Sequence, residues 1–357
     1  MKHWVINQLE ISHGSHASLK AMEGLRGVAV FLVFLVHYST LIQPWLAGSA
    51  ISLTNFIHGF GHLGVDLFFI LSGYLIYGTI INKKTFDVAK YAQRRIIRIY
   101  PTFIVVFIIY LFLSLFFPSE SKLPDETSSL ILYLLQNVLL LPGLFDINPI
   151  ITVAWSLSYE VFYYVIIPIV IFLFSLKKWP SNYRVWLWVM LSVVGFILAY
   201  LFGGPVRLLM FIAGILLFEM QKVQNIELKC FGTLSFILAL VFFGVRSFID
   251  INYYFSLMCV YILFAIFCLN AFSLNSFSSR WLTFSPLRWL GNMSYSYYLI
   301  HGLTLKFLFL ILPFIIPTTH DNNFLYLWLL PPFFVVTLTA SFCLFVIVEK
   351  PLSIDKK

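Results

Sequence analysis

The sequence predicts an all-α polytopic membrane protein: about ten transmembrane helices, one short interfacial or re-entrant helix, and both termini in the cytoplasm. Three observations carry this reading. Of 357 residues, 61% are hydrophobic and only 11% charged, with a mean hydropathy of +0.92; a soluble domain carries roughly 25% charged residues. Apolar runs of spanning length recur at 24–43, 60–81, 101–117, 154–176, 185–203, 205–221, 231–249, 253–272, 293–316 and 324–348. The basic residues then fall on one side, provided an eleventh run at 128–142 does not span.

That eleventh run decides the topology. It is short, contains Gln136 and Asn137, and ends at Pro142. If it spans, Lys177, Lys178 and Arg184 lie opposite Lys83, Lys84, Arg94, Arg95 and Arg98. If it stays at the outer interface, all but four of the 23 lysines and arginines are cytoplasmic, the exceptions being Lys122, Arg207, Arg246 and Lys306. The second arrangement obeys the positive-inside rule. Non-spanning backbone at membrane depth must be satisfied by protein or by a water-filled cavity, so 128–153 reads as the rim of one. The expected organisation is a cytoplasmic segment 1–23, a membrane domain 24–349 and a cytoplasmic tail 350–357.

Several classes fall away. The net charge of +8 follows topology, so no nucleic-acid partner is expected. Cys230, Cys259, Cys268 and Cys343 sit in or beside apolar runs without metal-ligand spacing; they read as packing residues, and no metal is expected. The polar first twenty residues do not form a signal peptide. The chain shows no internal repeat or low-complexity tract. Its longest polar loops are 82–100 and 273–292.

The first span, GLRGVAVFLVFLVHY (24–38), carries Arg26 at its cytoplasmic mouth and His37 deep inside. Eleven residues make about three helical turns, so the two share one face about 16 Å apart. An ionisable residue at membrane depth is functional by default. An imidazole can take a proton from a hydroxyl and return it near neutral pH, and a carboxylate beside it would hold its tautomer. Asp66 in the second span and Glu160 in the fourth fall at similar depth, and either can serve. The bland alternative is that each pairs only with a tyrosine or a backbone amide. Gly64 and Gly73, near Asp66, read as sites of close helix approach.

At the cytoplasmic side, Arg95 and Arg98 lie three apart in QRRIIRIYP (93–101). With Arg26 they form a candidate phosphate clamp; Arg94 reads as topogenic or lipid-facing. In WSLSYE (155–160), Trp155 is an ordinary interface tryptophan and Ser156 and Ser158 lie above Glu160. The stretch LGNMSYSYYLIHG (290–302) brings Tyr295, Tyr298 and His301 into the ninth span, where His301 either lines the path or is a packing histidine. VEKPL (348–352) reads as a helix stop. The spans 185–203, 231–249 and 253–272 carry few ionisable groups and read as lipid-facing.

These stretches, in this order, resemble the acyltransferase-3 family of membrane-embedded O-acyltransferases. The resemblance covers nearly the whole chain, and its most specific element is the Arg26–(ten residues)–His37 pair. It implies transfer of an acyl group, usually acetyl, from cytoplasmic acyl-CoA to a hydroxyl of a cell-surface polysaccharide or its lipid-linked precursor, such as lipopolysaccharide O-antigen or exopolysaccharide. It implies His37 as the catalytic histidine with Arg26 on the donor path, and functional roles for Asp66, Glu160, Arg95 and Arg98. It places the protein in a bacterial inner membrane among membrane lipids, with a carbohydrate acceptor and acyl-CoA as partners. The chain resembles the stand-alone members, which leaves a separate partner protein in polysaccharide synthesis open. A pantetheine arm is on the order of the Arg26–His37 separation. His37 can act as general base or carry the acyl group covalently. The competing class is a glycolipid transporter or flippase with an intramembrane proton relay.

Overall fold

The computed structural model describes residues 2–11, 17–223, 231–273, 276–318 and 322–355. Fifteen α-helices follow in order: α1 (Lys2–Leu9), α2 (Ala17–Ile42), α3 (Ser49–Gly61), α4 (Leu63–Ile81), α5 (Val88–Phe116), α6 (Thr127–Val138), α7 (Trp155–Leu173), α8 (Ser181–Phe202), α9 (Leu209–Val223), α10 (Phe231–Val245), α11 (Tyr253–Ala271), α12 (Phe277–Leu282), α13 (Ser285–Asn292), α14 (Ser294–Ile311) and α15 (Leu325–Leu344). A π-helical stretch, Phe345–Ile354, continues α15. Among the described residues eight helical segments are long and apolar enough to cross a membrane. The protein is therefore an all-α, multi-pass integral membrane protein. Two further apolar runs form shorter helices, α9 and α10, of 15 residues each.

Several boundaries differ from expectation for local reasons. Helix α2 begins at Ala17, more than two turns before Arg26, instead of near Gly24. The basic stretch expected as loop is the first part of α5, whose N-terminus is capped by the Asp87 side chain accepting from the Lys90 amide at 2.9 Å. Pro101 lies within that helix. VEKPL does not stop the last helix: the wider π turn accommodates Pro351, which lacks an N–H and would crowd the carbonyl of an α-helical turn. Helix α11, expected to face lipid, is half buried. Helix α8 presents Trp186, Val193, Ile197 and Leu201 outward, as a lipid-facing helix does. Cys230 lies outside the described residues.

Lipid is as apolar as leucine, so helices in a membrane gain association energy from close packing. Glycines supply it here. A Cβ on Gly214 of α9 would sit 1.9 Å from the Ile70 carbonyl oxygen, and one on Gly73 of α4 2.0 Å from that of Phe211. A Cβ on Gly291 of α13 would meet the Glu23 carbonyl oxygen at 1.7 Å. Gly64 packs against α2 in the same way: a Cβ there would sit 2.4 Å from the Ala29 carbonyl oxygen.

Helix α6 has 12 residues, about 18 Å at the helical rise and short of a ~30 Å hydrocarbon core. The irregular chain after it is satisfied by side chains. Asn137 accepts from the Ile150 amide at 2.8 Å, Lys122 donates to the Pro149 carbonyl at 2.8 Å, and Ser158 donates to the Pro142 carbonyl.

Candidate active site

Two cavities with ionisable side chains in their walls lie within the bundle. The larger, about 1040 Å³, is walled at one end by Lys83, Lys84, Lys90, Arg94, Arg95 and Arg98 of the α4–α5 region. It reaches inward past Arg26 and Glu160 to Ser156 and Tyr298. The smaller, about 190 Å³, is lined by His37, Thr40, Tyr110 and Ser114 together with Glu120, Lys122 and Lys306. Ile150, Thr152 and Val153, from the segment after α6, form part of its wall.

A thin partition separates the cavities. The Tyr298 hydroxyl, on the wall of the large cavity, shares a 2.7 Å hydrogen bond with Ser156 and donates to the Val153 carbonyl at 3.2 Å. Val153 faces the small cavity. Arg26 and His37, three turns apart on α2, thus stand on opposite sides of this partition. Helix α2 places them because Leu25, Leu32, Phe34 and Tyr38 bury its other faces.

The neighbour of His37 is another histidine. The His301 ring lies 5.1 Å from the His37 ring, centroid to centroid, nearly edge-to-face. His301 Nδ1 contacts the carbonyl oxygens of Tyr297 and Tyr298 at 2.9 and 3.0 Å. A carbonyl only accepts, so Nδ1 carries the proton and the neutral ring leaves Nε2 as an acceptor. That buried Nε2 has no partner among the described residues.

The carboxylates expected beside His37 are elsewhere. Asp66 is fully buried and ion-paired with Arg207, Oδ2 to Nη1 at 2.8 Å. Arg207 also donates to Tyr253 and to the His62 carbonyl. Glu160 accepts from Tyr164 and from Ser72 (3.4 Å) on the wall of the large cavity, with Arg26 and not with His37. Similar expected depth does not give adjacency, because azimuth around each helix also counts.

The arginines divide as well. Arg98 donates to the buried Glu349 at 2.6 Å, and Glu349 also accepts from the Ser296 amide and hydroxyl. Arg95 lies between the Tyr91 and Tyr164 rings, 5.1 and 4.9 Å from their centroids. Arg26 and Arg95 have no carboxylate within 4 Å among the described residues. With Lys83, Lys84, Lys90 and Arg94 of the same cavity, which also have no carboxylate within that distance among the described residues, they are left to meet an anion. Sequence reasoning assigned no site role to Tyr298, took Glu349 as part of a helix stop and named Lys122 and Lys306 only as exceptions to the charge split; the available signal was an ionisable group in an apolar run for Glu349 and those exceptions for the lysines.

Fold and site together define a polytopic helical membrane protein with a basic cavity and a separate, histidine-bearing one. The chain belongs to the acyltransferase-3 family: the family model described as "Acyltransferase domain" matches residues 19–348. It is 26% identical over 324 residues to the peptidoglycan O-acetyltransferase OatA of Listeria monocytogenes, covering 80% of this chain and 49% of that protein. It is 26% identical over 318 residues to the O-acetyltransferase OatA of Staphylococcus aureus, covering 79% and 50%. The chain thus spans about half the length of these curated relatives. No solved structure matches it.

Proposed function

We propose that this protein is an integral-membrane O-acyltransferase of a bacterial inner membrane. It moves an acyl group, acetyl in the first instance, from cytoplasmic acyl-CoA to a hydroxyl of a surface polysaccharide or its lipid-linked precursor. The family and the two O-acetyltransferase relatives support the reaction class. The observation that carries the reading is the pair of cavities: a basic one containing Arg26 and a small one containing His37, linked through the Tyr298–Val153 hydrogen bond.

In this reading ten spans leave both termini in the cytoplasm, and the basic end of the large cavity faces it. Arg26 and Arg95 meet the CoA phosphates, with Arg98 held in place by Glu349. The thioester passes the Tyr298–Ser156 contact toward His37. His37 takes the proton from the acceptor hydroxyl, that oxygen attacks the thioester carbonyl, and the C–S bond breaks. The departing thiolate takes the proton back from the imidazolium. The His301 Nε2 acceptor, instead of a carboxylate, completes the surroundings of the His37 ring.

The test is His37→Ala. The variant stays in the membrane, and its surface polysaccharide loses the acyl signal in proton NMR. Unchanged acyl content ends the proposal. Purified protein that moves glycolipid yet releases no CoA from acetyl-CoA with acceptor present would establish the transporter reading instead.

A further inference from the structure

Four basic residues escape the cytoplasmic side in the charge split, and two of them, Lys122 and Lys306, line the same small cavity as His37. They come from different elements, Lys122 from the loop between α5 and α6 and Lys306 from α14. Basic residues on the outer side oppose the positive-inside bias, so their meeting beside one histidine calls for a local cause.

Lys122 is held in place by neutral acceptors, the Pro149 carbonyl at 2.8 Å and the Thr152 hydroxyl at 3.1 Å. It has no carboxylate within 4 Å among the described residues. Burial, and then the charge of Lys306, hold its ammonium below the ordinary lysine range, as befits a cation without a counterion. Lys306 pairs with Glu120 at 2.5 Å, but both side chains are about two-fifths exposed, 42% and 40%. Such a pair is weak and readily exchanged. The cavity therefore holds one uncompensated positive charge and a second that an incoming anion can share. Its other polar lining, Thr40, Tyr110, Ser114 and Thr152, offers hydroxyls suited to a sugar. A volume of about 190 Å³ is about six waters' worth, room for a single sugar ring.

We infer that the His37 cavity is the acceptor site and selects a glycan unit bearing an anionic group, a carboxylate or a phosphate, which Lys122 and Lys306 bind while a neighbouring hydroxyl is presented to His37. This rests on the acyltransferase reading above. Shared chemistry allows two sources, a sugar acid within the glycan or the phosphate of a lipid-linked precursor.

The experiment is protection of the lysines in the purified full-length chain. An amine-acylating reagent labels Lys122 and Lys306, read by mass spectrometry, in the presence of methyl glucuronide, methyl glucoside 6-phosphate or methyl glucoside. An anionic glycoside is expected to protect both lysines with about tenfold greater affinity than the neutral one, the ratio one hydrogen bond to a charged group supplies. Protection by the glucuronide alone identifies a sugar acid, and by the phosphate alone a phosphorylated unit; either supports the inference. Lys306→Gln, at the exposed mouth where folding is undisturbed, should weaken anion protection of Lys122. Equal protection by the neutral glycoside, or protection by none, overturns the inference. Labelling does not depend on turnover, so loss of the acyltransferase reading (CoA release unaffected by His37→Ala) is scored separately.

Discussion

The Asp66–Arg207 pair separates a structural from a chemical role for a residue that the sequence marks as catalytic. Asp66 is fully buried and Arg207 nearly so, with a side-chain exposure of 14%. Asp66→Asn keeps the shape of the side chain and removes the charge, leaving the Arg207 guanidinium with only the Tyr253 hydroxyl and the His62 carbonyl. Breaking one side of a buried pair costs about 3–5 kcal/mol. Arg207→Met should cost a similar amount, because the Asp66 carboxylate is stranded with Oδ1 already unpartnered. The double variant removes both charges and should recover most of the loss, since replacing a whole buried pair is often neutral. The assay is unfolding of purified protein by SDS in mixed micelles, followed by circular dichroism. A double variant whose loss equals the sum of the single losses would refute the coupling. If the stable double variant also acylates, Asp66 acts by holding α4 to the turn before α9; if it is stable and inactive, Asp66 does more.

Other expectations follow from the same contacts. Tyr298→Phe removes the hydroxyl that bridges Ser156 and Val153; opening the partition should raise acceptor-independent CoA release about fivefold, the equivalent of one buried hydrogen bond of ~1 kcal/mol, and unchanged release would show that the bridge is no barrier. Gly214→Ala drives a methyl group into the Ile70 carbonyl at 1.9 Å and should destabilise the α4–α9 contact by about 1–3 kcal/mol, measured by the same SDS unfolding; an unaffected midpoint would mean that the helices part freely. The N-terminal helix should release at acid pH. Burial raises the Glu10 carboxyl, but hydrogen bonds from Trp289 and Arg288 outweigh it and leave it below its ordinary value of 4.5. A depressed carboxylate contributes stability above its unfolded pKa and loses it as pH falls through the folded one. A nitroxide on His3→Cys should therefore stay immobile through neutral pH and loosen only below about 4.5, and Glu10→Gln should abolish that step. Release near neutral pH would exclude Glu10 as the anchor.

Much of the chemistry was legible because the bilayer makes it so. An arginine and a histidine eleven residues apart in an apolar run are costly in lipid, so their presence alone marks them, and the helical period places them on one face. What period and depth do not supply is the angle at which neighbouring helices turn their side chains. Asp66 and Glu160 were expected at the depth of His37, yet α4 turns Asp66 toward Arg207 and α7 turns Glu160 toward the cavity of Arg26. The residue that α14 turns toward His37 is His301, which the sequence left open between path and packing. Glu349 looked like a helix end because Pro351 follows it; the π turn carries the helix on and buries the carboxylate against Arg98 and Ser296.

By itself the sequence determined that this is a multi-pass helical membrane protein of the acyltransferase-3 family, and it singled out Arg26 and His37. The architecture rests on hydrophobicity, charge and spacing along one chain, and the family on the resemblance of its ordered motifs; all of these are one-dimensional. The tertiary structure alone decided that Arg26 and His37 face two cavities, that Tyr298 and Ser156 separate them, and that Lys122 and Lys306 converge on the histidine. These are contacts between helices far apart in sequence, set by glycine-mediated close approach and helix rotation, and no local pattern encodes them.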